Sequence, residues 1–388
     1  MTEMVHGTLP AAVGEPVLSR WWRTVDRWTM ACVLMLFAIG LLLALASTPP
    51  MAARNNVSAF YYFNRQALFG IVALVIMLVV SMMSPASIRR WAVLGFVASL
   101  LVLAALPFVG TDFGKGAVRW LSLGFTSVQP SEFLKPVLVV TTAWMLAAAL
   151  EPNGPPGRLM SLGVTLAAVA LLVIQPDFGQ AALILFTWGV MYFVSGAAMT
   201  VILILGAIGI LAGLFFYNSS QHFARRIDGF LSPEIDARSQ LGFAQSAIQE
   251  GGLFGLGVGE GQVKWHLPDA HTDFIIAVAA EEYGFLLVLV VIALYATICL
   301  RALMRLSRER DVFVRIAGTG LATLISMQAF INMGVAARLL PAKGMTLPMI
   351  SYGGSSLIAM GLLLGMLLAL TRSRPQGEIG AILRAGGR

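Results

Sequence analysis

Leu267-Pro268-Asp269-Ala270-His271-Thr272-Asp273-Phe274 lies where a long polar stretch re-enters strongly apolar sequence. Ionisable residues at such a boundary are costly in lipid and are functional candidates by default. The surrounding composition fixes the solvent. Of 388 residues, 58% are hydrophobic and only 12% charged, whereas a soluble domain carries about 25% charged residues. That deficit places the chain in a bilayer rather than in water. The 39 glycines suit close helix contacts in lipid. The net charge of +7 is spread over loop ends, without a basic patch interleaved with aromatics, so no nucleic-acid partner is expected. Cys32 and Cys299 both fall in apolar segments and read as inert packing residues.

Working outward, the sequence predicts an all-α polytopic membrane protein with ten spanning helices. They centre on Leu36, Val75, Leu100, Val140, Ala167, Phe186, Ile208, Leu289, Ser326 and Leu363. Ala44-Leu45-Ala46 faintly resembles a cleavage site, but the long polar stretch before this span favours an uncleaved first helix. An even count puts both termini on one side. With the termini cytoplasmic, fifteen Lys and Arg residues lie inside, ten lie outside and Lys135 lies within a span. The positive-inside rule then favours cytoplasmic termini. The chain reads as a single domain, 1–388. It has a cytoplasmic tail over 1–28, a large extracytoplasmic loop over 218–272 between helices 7 and 8, and a second tail over 373–388. Three longer loops, about 110–130, 218–272 and 336–352, fall outside, where chemistry is expected to converge.

Within the large loop, Ser232-Pro233-Glu234 reads as a helix start, and Gln240 to Glu250 as a short helix stopped by Gly251-Gly252. Gly255-Leu256-Gly257-Val258-Gly259-Glu260-Gly261 lacks the preceding strand and the Gly-Lys-Ser/Thr ending of a nucleotide loop. Close backbone packing is its ordinary reading.

Asp273 is the candidate catalytic base. An Asp at a helix start is often only a cap, but this one is followed by Phe274-Ile275-Ile276 rather than a polar first turn. A carboxylate beside apolar groups has a raised pKa and suits abstraction of a hydroxyl proton. The pattern predicts that Asp273 begins a helix continuing into lipid, with Glu281 and Glu282 about two turns on. His266, Asp269, His271 and Asp273 offer metal-ligand types, but two histidines five apart match no zinc spacing. A hard divalent cation, Mg or Mn, bridging carboxylate and phosphate fits better. No motif requires a cofactor.

Val118 to Val128 alternates around Gly124 as a small hairpin would, and Ser131 is placed to cap the next helix. Glu132 and Lys135 share a helix face, either neutralising each other or, for Lys135 with Arg119, binding an anionic diphosphate. Gln175-Pro176-Asp177-Phe178-Gly179 reads as a tight turn with an Asp cap or as a functional acid. Pro341 to Ser356 holds two prolines and three glycines, so broken backbone lining a cavity is expected.

Taken together, these blocks resemble the SEDS family (shape, elongation, division and sporulation), which includes FtsW, RodA and SpoVE. The carriers are Gly116-Ala117 with Arg119-Trp120-Leu121, Gln129-Pro130-Ser131-Glu132 with Lys135, Gln175 to Gly179, and Arg226-Ile227 with Pro233. Leu267 to Phe274, Glu281-Glu282-Tyr283-Gly284 and Leu347 to Ser356 complete the set. Within the family, Lys343 before Gly344 points to the division branch, and Val118 stands where many members have a basic or polar residue. The resemblance implies a peptidoglycan glycosyltransferase that polymerises lipid II during septal wall synthesis in the bacterial inner membrane. It implies Asp273 as the base and Arg119, Glu132, Lys135, Asp177, His271, Lys343 and Ser351 as substrate-binding residues. It also implies a class B penicillin-binding protein (an FtsI-like transpeptidase) and other divisome membrane proteins as partners. The alternatives are an elongation-type polymerase, a lipid II flippase or a scaffold that only recruits the transpeptidase. Acids concentrated on one side favour the enzyme over a flippase, which needs polar groups reachable from both sides.

Overall fold

The computed structural model describes residues 17–111, 118–122, 124, 126–232, 239–267, 269–341 and 344–373. The chain opens with α1 (Val17–Thr24), α2 (Arg27–Ser47), α3 (Pro49–Arg54), α4 (Tyr61–Ser81) and α5 (Pro85–Val109). A hairpin, β1 (Leu121–Ser122) and β2 (Ser127–Val128), leads into α6 (Pro130–Ala148). Then come α7 (Gly157–Ile174), α8 (Phe178–Val194), α9 (Met199–Ser219), α10 (Gln221–Leu231), α11 (Gln240–Gly251) and α12 (Val263–His266). The last four are α13 (Ile275–Tyr283), α14 (Phe285–Leu306), α15 (Val312–Ala336) and α16 (Gly354–Leu370).

Eight of these helices are long and apolar enough to cross a membrane, and α8 and α16 are shorter apolar helices. Together they coincide with the ten expected spans, so the chain is an all-α multi-pass membrane protein. The helices α6 and α15 form its centre. They pack against each other, with α5 and α7 also on α6 and α8 and α14 also on α15. On one flank α4 runs along α16. There a Cβ on Gly361 would fall 2.3 Å from Ala73 O, so only glycine allows this approach. At the periphery, α9 has no buried residue and touches mainly α10 and α8, the signature of a helix facing lipid.

The hairpin forms as its alternation predicts, antiparallel, with Leu121 opposite Val128 and Gly124 at φ +85°. Ser131 does not cap α6. Pro130 takes the first helical position and Gln129 the cap, leaving the Ser131 hydroxyl buried without a hydrogen-bond partner among the described residues. Ser239 caps α11 by accepting from Gly242 N at 3.0 Å, and Gly252 ends that helix at φ +53°. Ser232 follows α10, and Pro233 and Glu234 lie outside the described residues.

A second expectation fails at Asp273. It does not open a helix that runs on into lipid. It sits in a turn before α13, and α13 is only nine residues long. Gly284, at φ +80°, then breaks the chain before α14. The reason is the stretch that follows α11, Gly252-Leu253. Its backbone fills the break, so that Phe285 N donates to Gly252 O at 2.9 Å and Leu286 N to Leu253 O at 3.3 Å. The first amides of α14 are satisfied by a loop instead of a preceding helical turn.

At the opposite end of the bundle, Asp26 caps α2 and is 2% exposed. Its carboxylate takes a forked pair of bonds from Arg301, both at 2.9 Å, and one from Thr29 Oγ1 at 2.9 Å. Arg305 Nε lies 3.3 Å away. Burial alone would raise this carboxyl, but the Arg301 and Thr29 bonds and the Arg305 charge hold it below the usual carboxylate range. A depressed folded-state pKa adds stability that is present above the unfolded value and lost as pH falls through the folded one. Asp26→Asn is therefore expected to cost roughly 1–3 kcal/mol near neutral pH, the scale of hydrogen bonds to charged groups. The deficit should shrink below about pH 4. Thermal unfolding of both proteins across pH in detergent checks this.

Candidate active site

The three loops that the sequence placed on one side do meet, around a polar cavity of about 570 Å³. The first contributes Arg119 and Trp120, the second Lys264 and the turn from Asp269 to Asp273, the third Gly344, Thr346 and Tyr352. Glu132 reaches it from the first turn of α6, and Arg54 and Asn55 from the end of α3.

The Asp269–Phe274 turn is tightly wound. The amides of Thr272, Asp273 and Phe274 all point at Asp269 O, at 3.2, 3.1 and 3.3 Å. The third loop is sewn to it. Tyr352 N donates to His271 O at 2.9 Å, and Ser351 Oγ donates to Thr272 O at 2.5 Å while accepting from Leu347 N at 2.8 Å. The broken backbone expected over 341–356 is thus satisfied by its neighbours. The Asp273 carboxylate faces Gly344 across the join, its Oδ2 3.1 Å from where a Cβ on that glycine would be.

Charged groups differ in how committed they are. Arg119 donates from Nε to Gln175 O at 3.0 Å and from Nη2 to Pro176 O at 2.7 Å, tying the hairpin to the α7–α8 turn. In that turn Asp177 is 7% exposed. Burial pushes its carboxyl above the ordinary value, against the Arg119 charge. Lys135 is 2% exposed and does not line the cavity. Its ammonium lies 2.9 Å from each Glu132 oxygen and 2.8 Å from Gln328 Oε1. Glu132 and Lys135 thus form a buried ion pair. Gln180 Nε2 adds a bond to Glu132 Oε1 at 2.9 Å.

Of the eight residues singled out in the sequence, Asp273, Arg119, Glu132 and His271 line the cavity. Lys135, Asp177 and Ser351 lie outside its lining, and Lys343 lies outside the described residues. Glu281 and Glu282 do not line the cavity. Glu281 Oε1 accepts from Gln262 N at 2.6 Å and Val263 N at 2.8 Å, and Glu282 pairs with Lys264. The glycine-rich loop packs as backbone, with Leu256 N on Glu281 O at 2.8 Å. Sequence reasoning passed over Arg54 and Asn55. Their only signal was a polar run, Arg54-Asn55-Asn56, just beyond the first span. The four metal-ligand candidates of the sequence do not form one group. His266 stacks on Phe243 at 5.9 Å, and among the described residues no three His, Cys, Asp or Glu side chains form a metal-binding group.

Fold and site together define a multi-pass helical membrane protein with a polar, charge-lined cavity at one end of its bundle. The model of the cell cycle protein family comprising FtsW, RodA and SpoVE matches residues 26–376. The chain belongs to that family. A relative from Caulobacter vibrioides, named "Probable peptidoglycan glycosyltransferase FtsW", is 43% identical over 96% of this chain and 95% of its own. Stage V sporulation protein E of Bacillus subtilis is 32% identical over 89% and 97%. Among solved structures, a chain described under "Structural coordination of polymerization and crosslinking by a peptidoglycan synthase complex" aligns with TM-score 0.73 and 30% identity, covering 89% of this chain and 97% of that one. RodA of Thermus thermophilus aligns with TM-score 0.66 and 28% identity over 90% and 97%.

Proposed function

We propose that this chain, a peptidoglycan glycosyltransferase, polymerises lipid II in the cavity, with Asp273 as general base, during septal wall synthesis. The observation that carries the reading is the Asp273 carboxylate set on a braced turn inside a cavity that also holds Arg119 and Arg54. Asp273 takes the proton of a sugar hydroxyl on one lipid-linked disaccharide. The oxygen attacks the anomeric carbon of another. A glycosidic bond forms, the bond to the diphosphate breaks, and polyprenyl diphosphate leaves with the electron pair. A positioned base contributes about 10²–10⁴-fold to such a step. Fixed guanidinium groups meet the charge that develops on the leaving diphosphate. Both substrates are anchored in lipid, which is why the site opens at the end of a membrane bundle.

The same reading puts the cavity at the outer leaflet of the bacterial inner membrane, with both termini cytoplasmic, as the Lys and Arg asymmetry supports. It pairs the chain with a class B penicillin-binding protein and with other divisome membrane proteins. The similarity to a chain from a complex that coordinates polymerization and crosslinking supports such a pairing. Should a divalent cation assist, Asp269 and Asp273 are the oxygen donors on this wall. The diphosphate would complete its shell.

The test supplies lipid II to the full chain, prepared with a class B penicillin-binding protein, and resolves the products on a gel. Glycan polymer is the expected result. Absence of polymer, with lipid II instead crossing the bilayer of proteoliposomes, would replace the transferase by a flippase.

A further inference from the structure

Two side-chain amides on α15, Gln328 and Asn332, lie one turn apart on the same face, and both are buried. Gln328 Nε2 donates to Thr346 O at 3.1 Å. Asn332 Nδ2 donates to two carbonyls, Asp273 O at 2.9 Å and Met345 O at 2.6 Å. Both partners are acceptors, so the amide cannot be flipped without losing both bonds. Its Oδ1 is buried with no hydrogen-bond partner among the described residues, a costly arrangement for a group that only fills space. One NH2 group therefore joins the backbone of Asp273 to the residue beside Gly344, the glycine that the Asp273 carboxylate faces.

We propose that Asn332 is a positioning residue for glycosyl transfer. Its amide sets the separation of the 269–274 turn from the 344–346 segment, and so sets the aim of the Asp273 carboxylate. The proposal rests on the reading of Asp273 as base. Asn332 does not line the cavity, so it acts through the Asp273 backbone and not on substrate. Gln328 grips only the far side of the join, at Thr346. Asn332 alone of the two amides spans it. Misplacing a reacting group by about 1 Å costs on the order of 10²-fold in rate.

The full chain carrying Asn332→Asp, Asn332→Leu or Asn332→Gln is compared with wild type and Asp273→Asn in the polymerisation assay, with folding followed by thermal unfolding. Asn332→Asp keeps the shape and removes both donors. Asn332→Leu does so without burying a charge, and Asn332→Gln restores an amide on a longer arm. The expected result is a kcat per folded molecule lowered about 10²-fold in the Asp and Leu variants. KM for lipid II should hold near the wild-type value, the acid limb of the pH–rate profile should be displaced, and kcat should partly recover in the Gln variant. A framework role alone would lower the folded fraction and leave the pH limb in place. An unmoved limb with wild-type kcat, a change confined to KM, or failure of both the Asp and Leu variants to fold would each overturn the proposal. If Asp273→Asn polymerises as wild type does, the base reading fails and takes this proposal with it. If Asp273→Asn is inactive while the Asn332 variants match wild type, only the positioning role is lost.

Discussion

Asp273→Ala is expected to lower the initial rate of glycan polymerisation by about 10²–10⁴-fold, the contribution of a positioned general base. The fold should survive. The turn is held through the backbone carbonyls of His271, Thr272 and Asp273 and the carbonyl of Asp269, none of which the substitution removes. Gly344 stays as it is and gains space. The rate of polymer growth on a gel, normalised to folded protein, reads the effect. Lipid II binding should change far less than the rate, because the cations that meet the diphosphate are untouched. An unchanged rate would move the base to another carboxylate lining the cavity, Glu132 being the next to replace.

The second large effect is on stability. Lys135→Met leaves Glu132 buried and short of its cation, and breaking a buried ion pair from one side costs about 3–5 kcal/mol. The residual bond from Gln180 to Glu132 places the loss toward the lower end. Adding Glu132→Gln in the same chain should recover part of the loss, because the uncompensated charge is then gone. Thermal unfolding in detergent separates the three proteins. A double variant no more stable than the single one would show that lost packing, not the stranded carboxylate, sets the cost.

Much of this was legible before any coordinates. Ten apolar runs gave ten apolar helices because each backbone group in lipid must be satisfied within its own segment, so hydropathy and length nearly determine the element. The cavity wall at Asp273 was visible for a related reason, since acids at the edge of an apolar run have few other uses. What escaped was decided by contacts distant in sequence. Nothing local says that Lys135 also reaches Gln328, or that Glu281 bonds to the amides of Gln262 and Val263. The short α13 was misread as a continuing span. Only Gly284 marks the break, and its meaning depends on the loop at Gly252 that fills it. Ser131 looked like a cap by type, but Pro130 claimed the first helical position.

The central position of α6 and α15 has a consequence for how the chain is made. These are the two least apolar of the long spans, and most of each is buried inside the protein. They carry Glu132 and Lys135, paired with each other but also bonded to Gln180 and Gln328, and Gln328 and Asn332, which reach Thr346, Asp273 and Met345 on other segments. Presented singly to a translocon, each would offer lipid a costly face. Peripheral helices such as α9 can enter the bilayer as they emerge from the ribosome. The helices that build the site are retained there only as neighbours arrive to accept their polar groups. Biogenesis of the membrane domain and assembly of its cavity are therefore one event.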